Sequence, residues 1–141
     1  MTQLRIIARY QDGRVLKGHT DNFHAERLAF HLHPVDQPEP DVRGIEVRLN
    51  ELKAIFVVRT FDGDPDYREP KNLDEIEPAS GTTLRITLRD NETLVGATHK
   101  YDIHAIGSFL FPVDHHDNNT RVFVINAFVK SIEFMDVAKA G

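Results

Sequence analysis

The chain matches itself when slid along its own length. Asp12, Leu16, Gly18, Thr20, Leu32, Pro34, Val35 and Asp36 fall on Asp90, Leu94, Gly96, Thr98, Leu110, Pro112, Val113 and Asp114, an offset of 90 − 12 = 78 residues. The register runs without a gap from Ile6 to Asp36, with Phe23 over Tyr101 and Gly13 over Asn91. After a one-residue slip, LNELKAIFV aligns with NAFVKSIEF, so Lys53 meets Lys130 and Ile55 meets Ile132. Two copies of one small unit are the economical reading of a 141-residue chain. The copies are expected over residues 1–58 and 81–141, with residues 59–80 as an acidic linker that carries Pro65, Pro70 and Pro78.

Each copy reads as short strands and tight turns. LRIIARY, the turn QDGR and VLKGHTDNF open copy one; LRITLRDNETLVGATHKY opens copy two. An Asp-Gly pair between β-prone runs is a strong hairpin signal because both turn positions tolerate φ > 0, and Asp90-Asn91 repeats it less well. A third strand stops at Pro34 or Pro112, where the missing N–H ends a ladder. Two more strands follow across a very short turn, so each unit has five strands, bent at Gly18 or Gly96. Counting in twos places Ile6, Leu16, Leu32, Val47 and Ile55 inside copy one, and Ile86, Leu94, Leu110, Val124 and Ile132 inside copy two. Helical periodicity is confined to NLDEIEP and the residues before Leu4, both too short to hold a helix unaided.

This order of strands and turns resembles the Sm-like small β-barrel. RYQDGRVLKGHTDNF and TLRDNETLVGATHKY are similar to the first Sm motif, and VRLNELKAIFV and VFVINAFVKSIEF to the second. The resemblance implies an all-β chain of two tandem five-stranded, strongly bent barrels. It also implies single-stranded RNA or nucleotide binding at the turn between the last two strands, where Arg48, Asn50 and Asn126 are the side chains suited to it. Segments like LKAIFVVRTFDGDPDYRE further resemble an uncharacterised bacterial family of unassigned function.

Composition limits the chemistry. Lys and Arg number 17 against 22 Asp and Glu, a net charge of −5, which offers little counterion-release drive toward nucleic acid. With no Cys, disulfides, thiolate zinc sites and thiol nucleophiles are excluded. No apolar run approaches the roughly 18 residues of a membrane span, so a cytoplasmic location with no membrane partner is the default expectation. Neither G-x-S-x-G, H-E-x-x-H nor a P-loop is present, and no cofactor is implied. The paired carboxylates Asp64 and Asp66, or Glu75 and Glu77, lie in the linker, where nothing desolvates them for acid catalysis.

Eight His remain to be explained. His31 and His33 share one strand face, a spacing able to hold a divalent metal, but copy two has Phe109 and Phe111 there, so a contact face is the simpler reading. Asp114, His115, His116 and Asp117 read as a polar turn. Arg5 and Arg9 have the R-x-x-x-R spacing of cyclic-dinucleotide-binding PilZ domains without the accompanying [DN]-x-S-x-x-G, which leaves them as solvated charge.

The runs Ala54–Val58 and Phe109–Phe111 break the alternation that a barrel with one wet face requires, so their outer faces need cover. The sequence therefore points to a non-enzymatic module that binds protein, either its own copies or another chain, with Phe56, Phe109 and Phe111 at the contact. A homo-oligomer is favoured over a monomer.

Overall fold

The computed structural model describes residues 4–35, 44–61, 82–112 and 118–135. Within them the chain is all-β. The strands are β1 (Leu4–Tyr10), β2 (Val15–Thr20), β3 (Ala29–Pro34), β4 (Ile45–Arg48), β5 (Leu52–Val58), β6 (Thr82–Leu88), β7 (Thr93–Thr98), β8 (Gly107–Leu110), β9 (Asn119–Ile125) and β10 (Val129–Met135). β6 starts 82 − 4 = 78 residues after β1 and β10 starts 129 − 52 = 77 after β5, the two offsets of the sequence match. Single 3-10 turns, Leu49–Glu51 and Asn126–Phe128, join the last two strands of each copy.

The strands form a seven-stranded sheet, ordered β4-β3-β2-β1-β5-β9-β8, and a three-stranded sheet, ordered β10-β6-β7. Neither closes into the five-stranded barrel that the sequence suggests. Among the described residues of copy two, β7 pairs with the β8 side only at the isolated bridge Ala97–Phe111. The β8–β9 hairpin is held instead by β5, in the register Ala54↔Val124, Ile55↔Phe123 and Phe56↔Val122. Copy two is thus split between the sheets, and β5–β9 is the seam that joins the copies.

The seam explains why β5 does not alternate. Ile55 and Val57 face one core with Ile6, Leu32, Val47 and Phe123, while Ala54, Phe56 and Val58 face a second with Leu84, Ile86, Leu110 and Val124. A central strand wet on neither face reads as a continuous apolar run. Of the ten inward positions expected from the pattern, eight are buried; Leu16 and Ile132 are partly buried against the same two cores.

The first hairpins depart from expectation in detail. In each turn a single residue takes positive φ, Gly13 at +97° and Asn91 at 71°, and Tyr10 and Leu88 donate their N–H to the Arg14 and Glu92 carbonyls across three-residue loops. A type I turn followed by one left-handed residue produces this loop, so the Asp does not need φ > 0. It serves as a cap instead, with Asp12 and Asp90 accepting from the Arg14 and Glu92 N–H groups at 3.0 Å each.

Gly18 is needed for proximity. A Cβ there would lie 2.4 Å from the His33 carbonyl oxygen and 2.6 Å from Leu32 Cδ2, where β2 crosses β3. Backbone cannot give way cheaply, so Gly18→Ala is expected to cost about 1–3 kcal/mol of stability by chemical denaturation. An unchanged midpoint would contradict that close crossing.

Candidate functional site: a groove between the two sheets

The first strands of copy one present alternating apolar and cationic side chains on their outer face. Ile7 and Arg9 on β1, and Val15 and Lys17 on β2, share it, because residues two apart on a strand point the same way. Opposite stands β7 of the small sheet. Between them runs a groove of about 870 Å³, floored by Ile7, Phe56, Leu110 and Val122. Its far wall is formed by Thr93, Leu94 and Val95, and three consecutive residues can line one cavity only if the strand presents its edge.

That edge is open. The Ala97 N–H and C=O both bond Phe111, pointing away from β6, and the antiparallel alternation turns the backbone groups of Val95 and Thr93 the same way. Among the described residues no strand pairs with that part of β7.

The rim carries Arg9, Lys17 and Arg85 against the single carboxylate of Glu92. Arg9 lies 5.6 Å over the Phe56 ring and bonds Glu92 at 2.8 Å, tying β1 to the β6–β7 loop. Arg85 reaches Glu133 at only 3.6 Å, and Lys17 forms no ion pair with any described residue. The groove therefore combines an apolar floor, backbone donors and acceptors that no described strand pairs, and surplus positive charge.

A second electrostatic tie holds the same β6–β7 loop to β5. Lys53 Nζ donates to Asp90, at 2.6 Å, and to Glu92. Burial works against the Lys53 charge, but these carboxylates outweigh it and raise its pKa above the usual 10.5; the Lys53 hydrogen bond holds Asp90 below its usual 3.8. A carboxylate whose folded pKa is depressed stabilises the fold above its unfolded pKa, and that contribution is lost as pH falls through the folded value. Stability is thus expected to drop below about pH 4, with Lys53→Met flattening that drop. Identical acid limbs for variant and parent, measured by urea denaturation across the range, would contradict the tie.

The residues singled out from sequence are dispersed. Arg48 is exposed and bonds Glu46 at 2.8 Å; Asn50 is exposed. The Asn126 side chain is committed inside its own copy, accepting from the Tyr101 hydroxyl at 2.6 Å and donating to the Asp102 and Ala105 carbonyls. Burial pushes the Tyr101 pKa up. Phe56 lies in the groove floor. Phe109 sits in a ring cluster with Phe23 and Phe123, and Phe111 is 44 % exposed. Phe109→Ala is accordingly expected to destabilise by about 2–4 kcal/mol and Phe111→Ala by under about 1, in parallel thermal melts.

His31 is exposed and contacts Asn22, and no group of three or more His, Asp or Glu suited to a metal exists among the described residues. The Asp114–Asp117 turn and the linker carboxylates lie outside the described residues. Arg5 bonds the Arg59 carbonyl. The groove itself escaped sequence reasoning because its parts come from seven strands. The legible signal was the apolar-cation alternation of Ile7, Arg9, Val15 and Lys17.

These features define an all-β protein of two open sheets with a groove between them. A model described as a family of unknown function, DUF6982, matches residues 2–136, and the chain belongs to that family. No curated protein and no solved structure matches it. No helix among the described residues is long and apolar enough to cross a membrane.

Proposed function

We propose that the protein is a non-enzymatic interaction module that recognises another protein chain by strand addition. The observation that carries this reading is the β5–β9 seam, in which one copy already binds the other through a sheet edge. β5 is the fifth strand of copy one and β9 the fourth of copy two. Fourth-to-fifth pairing is also the contact through which Sm-like units close rings, and together with the strand order β5-β1-β2-β3-β4 it supports Sm-like kinship for each copy.

The outer ends of the same pattern, β4 and β10, are sheet edges. Their side chains argue against a second copy as the partner. Glu46 and Arg48 stand where the seam has Phe123 and Ile125, and Ser131 and Glu133 where it has Ala54 and Phe56. Charges at such positions keep edges from pairing with their own kind. A partner of different composition is the better occupant.

RNA binding has less support, since Arg48 is paired and Asn126 is spent on its own loop. Two titrations test the proposal. Peptides selected from a random library on the immobilised protein are expected to bind in solution at about micromolar Kd, and labelled oligo-U and oligo-A at low salt to bind no tighter than about 10 μM. Tight, steeply salt-dependent oligonucleotide binding with no peptide binders would overturn it.

A further inference from the structure

We infer that the groove between the sheets takes an extended peptide segment of another protein, rich in alternating acidic and apolar residues, which adds to the open edge of β7. This deepens the interaction-module reading and rests on it. The backbone supplies the first reason. Thr93 and Val95 turn N–H and C=O groups into the groove, and a bound strand would satisfy them as Phe111 satisfies Ala97 one step along. Continuity matters here, because the Ala97–Phe111 bridge already fixes the direction and spacing of a neighbour on that edge.

The side chains supply the second reason. A strand laid along β7 directs alternate residues to opposite sides. One set meets the apolar floor of Phe56, Leu110 and Val122, while the other meets the rim, where Arg9, Lys17 and Arg85 outnumber Glu92. Lys17 has no acidic partner among the described residues and Arg85 only a long one, so a ligand's carboxylates gain attraction without first breaking a short ion pair. A basic peptide would meet repulsion, and a wholly apolar one would leave those cations facing it unpaired. The chain's net charge of −5 makes this positive strip a local exception to the whole.

The test uses the full chain and a labelled heptapeptide of alternating glutamate and valine. The expected result is saturable binding by fluorescence anisotropy, with slowed amide exchange at Thr93 and Val95 on addition of peptide. Lys17→Glu, at an exposed position that leaves both cores intact, should weaken binding at least tenfold, and lysine in place of glutamate in the peptide should abolish it. Equal binding of the lysine peptide, an unaffected Lys17→Glu variant, or no binding of the glutamate peptide up to millimolar concentration would overturn the inference. Protection that appears on β4 or β10 instead of β7 would overturn this site while leaving the interaction-module reading standing. Displacement of bound peptide by oligo-U would overturn both.

Discussion

Replacing Phe123 with alanine is expected to lower stability by about 3–5 kcal/mol, a large share of the roughly 5–15 kcal/mol that holds an ordinary domain together. Phe123 belongs to copy two by sequence, yet its ring is 1 % exposed inside the core of copy one. It stands opposite Ile55 in the seam and touches Phe23 and Phe109 edge-on or tilted, at centroid distances of 5.4 and 4.9 Å. Removing it leaves a cavity against Phe23, Phe109 and Ile55, at the strand that carries the β5–β9 register. Both copies should therefore lose structure in one transition. Two separated transitions in the parent protein, by circular dichroism and near-ultraviolet absorbance together, would show that the seam does not couple them.

Replacing three edge charges with the residues their seam counterparts carry should have the opposite effect and create an assembly. Glu46→Phe, Arg48→Ile and Glu133→Phe together give β4 and β10 the apolar faces of β9 and β5. The seam register Ala54↔Val124 translates by 77 residues into Ser131 opposite Val47 of a neighbouring molecule. Phe134, 71 % exposed on β10, would be covered by that contact, as its counterpart Val57 is covered by β9. Edge strands with uncharged apolar faces pair readily with their own kind. The triple variant is expected to sediment at twice the parent's mass or more at micromolar concentration, with the parent a monomer. A parent that already sediments as an oligomer would show that its charged edges do not block self-pairing.

Local patterns made the strands, hairpins and inward residues legible. Period-two counting found Ile6 and Ile86 because each core face is set by its own strand. The non-alternating run at Ala54–Val58 announced a strand covered on both faces, and the covers are the core of Ile6, Leu32 and Val47 on one side and that of Leu84, Ile86 and Leu110 on the other. What covers it was not legible, because pairing between strands so far apart depends on how loops close rather than on any local signal. The same limit hid the groove. Arg9, Phe56, Arg85 and Val95 are unremarkable singly, and only the crossing of β7 over the outer face of β1 and β2 brings them together. Asn126 misled in the other direction: an amide in a turn reads as available, while its three bonds to Tyr101, Asp102 and Ala105 are tertiary.

Native-state hydrogen exchange by NMR on the free, unmutated protein tests most directly the claim that this module keeps a sheet edge ready for a partner. Amides paired across the seam, at Ile55, Val57, Arg121 and Phe123, should exchange only through global unfolding. The Ala97 amide, bonded to Phe111, should be protected, whereas Thr93 and Val95 on the same edge should exchange orders of magnitude faster than the seam. Thr93 and Val95 amides as slow as those of the seam would mean that the edge of β7 is already occupied in the free protein, and would contradict the account.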